Sequence, residues 1–243
     1  MATASHDPSG TGFTGLSGEA LVEVQRRIAA LSPPAWHPAG RLLVVGGVFV
    51  AFARGQQGPG QAGDRAKVGA AATRGTIELA HVVADGVAGA SYRPGYLAAR
   101  EGAMIVTAAR SLIALMDRLD EPIDVLLVDA TGRDHERRCG LAVHAGAVLG
   151  VPTVGVTHRP LLAIGSDPDD AAGATSDLTL DGEVVGRWYR AVRGVRPVAV
   201  HAGWRTDVDT AVDVVAQVTG RARTPEPLRL ARTAARVARA ERG

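Results

Sequence analysis

Glu101 and Asp129 are the residues of this chain whose type and setting point most directly to chemistry. Glu101 closes the run Ser91-Tyr92-Arg93-Pro94-Gly95-Tyr96-Leu97-Ala98-Ala99-Arg100-Glu101, and Asp129 ends the apolar run Leu126-Leu127-Val128, just before Ala130-Thr131-Gly132. Two carboxylates drawn from separate elements form an oxygen-donor set suited to Mg2+ or Mn2+, hard cations that retain waters for use as a nucleophile. Such a set serves in-line displacement at phosphorus. An acid at the end of a helix or strand is more commonly a cap or half of a surface ion pair. Asp129 is distinguished because it ends an apolar strand and opens onto a loop crowded with other reactive side chains, where sites concentrate.

Tyr92 precedes a Pro94-Gly95 corner. An aromatic face presented by such a corner can replace lost base stacking, worth roughly 1–3 kcal/mol per base. Taken alone, Tyr92 reads as a partly buried loop aromatic. Beyond Asp129 come His135, Arg137, Arg138 and then Cys139-Gly140-Leu141-Ala142-Val143-His144. Two guanidiniums beside a helix N-terminus can hold phosphate, and the small Gly140 and Ala142 allow close approach of a base. The ordinary account of one of these arginines is a solvated turn, and that of His144 is packing.

The elements that must position these groups are legible in the spacing of apolar residues. Ser17 reads as the N-cap of a helix over Glu19–Leu31, stopped by Ser32-Pro33-Pro34. The Val-rich run Arg41–Phe52 reads as a buried strand. A Gly/Gln/Pro turn over Gly55–Gly63 leads to strands near Lys67–Thr73 and Thr76–Val87, an antiparallel meander. The pattern then alternates: helix Met104–Leu119, strand Val125–Asp129, helix Gly140–Leu149 and strand Thr153–Thr157, which implies parallel pairing. Asp181-Gly182 signals a hairpin between Leu178–Leu180 and Glu183–Tyr189; Pro197–His201 reads as a strand, and helices over Val208–Thr219 and Pro227–Ala240 follow. A meander followed by parallel strands with flanking helices is the order of an α/β ribonuclease H-like mixed sheet.

With 243 residues, 46% of them hydrophobic, the chain supports one sizeable core. The expectation is a leader over residues 1–18, flexible in composition, and a single domain over 19–243. Formal charge is +2, the isoelectric point is about 9.1, and Lys67 is the one lysine; an arginine-based cation set suits phosphate contact. The same bias could arise from a GC-rich coding sequence. Cys139 is the one cysteine, which excludes an intrachain disulfide. No apolar stretch of about 20 residues and no signal-peptide pattern is present. These features set the expectations of a cytoplasmic location, no membrane association and no obligate protein partner.

Tyr92-Arg93-Pro94-Gly95 with Arg100-Glu101, Val128-Asp129 with Gly132, His135 through His144, and Val151-Pro152-Thr153-Val154-Gly155-Val156 together resemble the endonuclease V family, the deoxyinosine 3′ endonucleases. The likeness runs from the helix containing Gln25 to Pro225-Glu226-Pro227-Leu228-Arg229. It implies a metal-dependent hydrolase that recognises inosine in DNA or RNA and cuts a phosphodiester on its 3′ side, in DNA repair or RNA inosine processing. It also implies that Tyr92 is a strand-separating wedge beside a base pocket built largely of backbone groups, and that Glu101 and Asp129 are catalytic metal ligands for Mg2+ or Mn2+.

Three positions depart from the family pattern. Phe49 stands where the first strand should carry a metal-binding aspartate, His158 where a lysine is expected, and Trp204 where a histidine is expected after Ala202-Gly203. A phenyl ring cannot coordinate a hard cation, and an indole offers only an N–H. Asp64, Asp207 and Asp209 are the acids that could stand in, although the last two would ordinarily complement the dipole of the helix they open. The sequence therefore supports an active hydrolase using a substitute acid, a degenerate relative that binds inosine or nucleic acid without cutting, or a fold retained for interaction alone.

Overall fold

The computed structural model describes residue 13 and residues 18–38, 40–53 and 60–241. Ser17, expected to cap the first helix, and much of the turn before the second strand lie outside the described residues. The first helix, α1, runs Gly18–Ala30 and buries Leu21, Val24, Gln25 and Ile28 on one face. The Val-rich run becomes β1, Val44–Phe52. It pairs antiparallel with β2, Arg65–Arg74, which pairs antiparallel with β3, Ile77–Val87, in the expected meander.

Two strands complete the parallel part of the sheet: β4 (Val125–Val128), which follows α2 (Leu97–Arg118), and β5 (Thr153–Thr157), which follows α3 (Leu141–Leu149). β1, β4 and β5 run parallel, with Val48 opposite Val128 and Val128 opposite Gly155. The hairpin of β6 (Ala174–Leu180) and β7 (Glu183–Arg190) turns at Asp181 and Gly182, both at positive φ (51° and 80°), the conformation a two-residue hairpin loop requires. β8 (Val198–Ala202) lies antiparallel to both β5 and β7. One eight-stranded sheet results, in the order β3-β2-β1-β4-β5-β8-β7-β6, with α4 (Val208–Gln217) and α5 (Glu226–Ala240) closing the chain. The fold is ribonuclease H-like, a mixed sheet between helices.

Alternate residues of the central strands face two cores. Val44, Val48, Leu126 and Val128 pack with α2 and α3, whereas Val45, Val125 and Leu127 pack with Val214, Val215 and Leu228 of α4 and α5. Two glycines bring α5 unusually close to the sheet. A Cβ on Gly47 would lie 2.6 Å from the Pro227 carbonyl carbon, and one on Gly69 only 2.0 Å from the Ala231 oxygen. Real side chains do not tolerate such distances, so these positions set how deeply the helix sits.

One boundary differs in a way that matters. The second helix starts at Leu97 rather than Met104, because Leu97-Ala98-Ala99-Arg100-Glu101 are strong helix formers and their tertiary contacts bury Ala98 and Arg100. Glu101 is thus held on a helix, and Asp129 is the first residue past β4. No described helix is long and apolar enough to cross a membrane.

Candidate functional site

The helical placement of Glu101 brings it to the carboxyl end of β4, beside Asp129. Burial pushes the Glu101 carboxyl up to about 7; Arg100 opposes the shift and the Asp129 charge adds to it. Burial likewise raises Asp129, against the pull of Arg232. Among the described residues neither carboxylate accepts a hydrogen bond or forms an ion pair. Two adjacent acids held out of water without partners are a functional signature rather than a stabilising one.

Asp129 also borders a cavity of about 280 Å3 whose wall includes Tyr92, Pro94, Gly95, His135 and Leu141, near the lower limit of small-ligand pockets, about 300–1,000 Å3. Tyr92 is 44% exposed at this cavity, which suits an aromatic that stacks on an incoming group. The corner behind it is braced. Gly95 adopts φ +76°, and its carbonyl oxygen accepts from Arg137 Nη2 (2.6 Å) and bonds His135 Nε2 (3.0 Å). His135 Nδ1 accepts from the Arg137 backbone N–H, which assigns the ring proton to Nε2. Burial lowers the His135 pKa, in keeping with a neutral ring. Arg137 Nε donates to Gln25 Oε1 (2.7 Å), and Gln25 Nε2 to the Cys139 carbonyl (2.8 Å).

These bonds revise several expected roles. Arg137 also pairs with Glu136 and lies 4.9 Å over the Tyr96 ring, so it holds the corner instead of awaiting phosphate. Arg138 turns away to the β6–β7 hairpin, bonding the Leu180 carbonyl and pairing with Asp181 (3.1 Å) and Glu183 (3.4 Å). Gly140 and Ala142 do not line the cavity, and Leu141 does. Their backbone N–H groups are taken by the Gly132 and Thr131 carbonyls, at 2.8 and 3.1 Å, so neither is aimed at the cavity.

None of the three substitute acids joins the pair. Asp64 bonds Arg100 Nη2 (2.8 Å) and the Gln61 N–H (2.7 Å). Asp207 caps α4 by accepting from the Thr210 N–H (2.7 Å), and Asp209 pairs with Arg187. Trp204 packs beside the cluster of Val24, Ile28, Cys139 and Val143. Because β8 runs antiparallel to β5, its end arrives at the start of β5, where Trp204 accepts from the Thr153 N–H. His158, by contrast, follows β5 at the same strand edge as Asp129; partial burial, then Arg223 and Arg232, lower its pKa.

The β1–β4 register sets Phe49 one step beyond the Val48–Val128 pair and hence alongside Asp129. Sequence reasoning missed what covers that ring. Arg232 and Arg236 of α5 lie over Phe49 at 4.8 and 5.9 Å from its centroid, and Arg232 Nε is buried with no hydrogen-bond partner among the described residues. Asp134 was also missed. Fully buried, it accepts the N–H groups of Leu161 (2.6 Å), Leu162 (2.9 Å) and Ala163 (2.8 Å), and so fastens the segment that supplies the far wall of the cavity.

The endonuclease V family model matches residues 33–233. The chain belongs to the endonuclease V family. Endonuclease V of Dictyoglomus thermophilum is 34% identical over 140 residues, covering 58% of either chain, so the chain spans less than two thirds of that relative's length. Crystal structures of endonuclease V from Bacillus subtilis (TM-score 0.79, 27% identity, 95% of both chains) and Streptomyces avermitilis (TM-score 0.76, 31% identity, 92% of both chains) share the architecture.

The family is metal-dependent, but the residues of this endonuclease V relative do not fit a resident divalent ion. Only Glu101 and Asp129 offer carboxylates, and no group of three or more His, Cys, Asp or Glu side chains converges among the described residues. The Arg232 charge already acts on Asp129, and a fixed cation in that setting repels a divalent ion.

Proposed function

We propose that this chain recognises inosine in DNA or RNA and that its phosphodiester hydrolysis is lost or strongly reduced. The observation that carries the reading is the cavity shared by exposed Tyr92, the braced Pro94-Gly95 corner and Asp129. Tyr92 stacks where a base has left the strand, and the cavity takes the displaced ring. Pro94, Gly95 and His135 give that ring a rigid wall. Phe49 and Arg232 occupy the surroundings of the acids, so the hydrolytic step lacks its ligand set; loss of a principal catalytic group costs roughly 10^3 or more in rate. If any hydrolysis persists, Mn2+ supports it better than Mg2+, whose octahedral geometry is more demanding.

Fluorescence anisotropy at fixed salt tests the binding. Inosine-containing strands bind more tightly than matched controls, and Tyr92→Ala weakens binding by roughly 5- to 100-fold, the equivalent of one lost stacking contact. Equal affinity for the two strands defeats the proposal. The second reading, an active hydrolase, is favoured by the retained, unpartnered Glu101 and Asp129. Robust Mg2+-dependent cleavage that Asp129→Asn abolishes would establish it.

A further inference from the structure

We infer that Arg232 is the resident cation of the Glu101–Asp129 site, a built-in positive charge that replaces a divalent ion and keeps one out. Three observations converge on it. Gly47 and Gly69 allow α5 to sit against β1 and β2, which fixes the turn carrying Arg232 over Phe49. The Arg232 guanidinium lies 4.8 Å from the Phe49 centroid, and Phe49 is alongside Asp129 in the sheet. Its Nε is buried without a hydrogen-bond partner among the described residues.

The guanidinium lies over the aromatic face and acts on Asp129 through space, an arrangement held by cation–π attraction and charge. No ion pair within 4.0 Å joins Arg232 to either acid. The acids therefore keep free oxygens, while a fixed positive charge already stands beside Asp129. Arg236, the second cation over the ring, is exposed at the helix surface and free to turn into water. Restoring an acid at position 49 alone is consequently insufficient. The new carboxylate would meet Arg232 and form an internal ion pair.

Mn2+ titration by calorimetry, with electron paramagnetic resonance counting free Mn2+, tests the inference without reference to cleavage or nucleic acid. The unaltered protein and Phe49→Asp give no site-specific binding. Phe49→Asp combined with Arg232→Ala binds Mn2+ at least about 10-fold more tightly than either, and adding Asp129→Asn removes the gain. Tight binding by the unaltered protein, equal affinity of Phe49→Asp and the double variant, or no gain in a double variant that circular dichroism shows folded would each overturn the inference. Should the double variant not fold, Arg232→Gln alone decides: it raises Mn2+ affinity if Arg232 excludes the ion, and an unchanged affinity refutes the claim. The role of Arg232 rests on the inosine-binding reading only in that the site lies beside the base cavity; failure of inosine recognition leaves the Mn2+ result standing, and the converse holds.

Discussion

Replacing Glu101 by Gln should stabilise this protein above neutral pH and leave it unchanged in acid. The unfolded Glu101 carboxyl loses its proton near 4.5, whereas the folded one holds it to about 7 because of burial. Between those values the folded chain binds more protons than the unfolded chain, so stability falls as pH rises. The favourable contribution is complete below the unfolded value and is gone above the folded one. Integrated over the window it amounts to at most about 3 kcal/mol, and the partial exposure of Glu101 reduces it through solvent screening. Gln is nearly isosteric with the protonated acid and never ionises. Thermal melts with EDTA near pH ~8.5 should therefore place the variant roughly 5–10 °C above the parent, converging near pH ~4. A variant equally or less stable at the higher pH would show that Glu101 is ionised at little cost, satisfied by a partner the structure does not give it. Mg2+ in place of EDTA provides the second arm. An ion bound to Glu101 would stabilise the parent and erase the difference, and the resident-cation argument expects no such effect.

Other consequences can be measured on the same preparations. Asp134→Asn turns one of its acceptor oxygens into a donor facing a backbone N–H of the Leu161–Ala163 segment; a loss of roughly 1–3 kcal/mol and faster amide exchange confined to that segment are expected, and unchanged exchange would deny Asp134 its fastening role. His201 is wholly buried and bonds Thr157, and burial lowers its pKa to about 4 despite the opposing charge of Asp134. Its contribution is present above the unfolded value near 6.5 and lost as pH falls through about 4, so His201→Gln should flatten the acid side of the stability curve. Gly69→Ala places a methyl against the Ala231 carbonyl and should cost roughly 1–3 kcal/mol in urea melts; a silent substitution would mean that α5 is not pressed onto the sheet as described.

Much of this architecture was legible because its strands are long β-branched runs and its hairpin turns on Asp181-Gly182, where φ must be positive. Glu101, Asp129 and Tyr92 stand out in the sequence as well, and the structure sets Asp129 and Tyr92 at one cavity with Glu101 close to Asp129. The start of α2 was obscured because Leu97–Gly102 carries a helix whose buried face is made of alanine, glycine and an aliphatic arginine stem, which gives little apolar signal; Arg100 is buried against Gln61, Ala90 and Asp64. Arg137 and Arg138 looked like phosphate ligands because a sequence shows a guanidinium but not its acceptors, and here those acceptors are the Gly95 and Leu180 carbonyls and Gln25.

Arg232 was the least visible of all, and the reason is geometric. Arg229, Arg232, Arg236 and Arg239 of α5 are indistinguishable in composition, and a basic face on a terminal helix reads as solvated. Their fates diverge only in the packed molecule: Arg229 pairs with Glu226, Arg239 donates to the Phe52 carbonyl, and Arg232 and Arg236 cover Phe49. The depth and rotation of α5 decide this, and both are set by Gly47 and Gly69 on strands far upstream. Phe49 and Arg232 therefore act as one unit. A ring at position 49 without a cation above it would leave Asp129 without the charge that opposes its burial, and a guanidinium at 232 above an aspartate would bind that aspartate. Together they set a fixed positive charge beside Asp129. Substituting either alone should consequently disturb the site more than substituting both, a non-additivity that a double-mutant cycle on stability would expose.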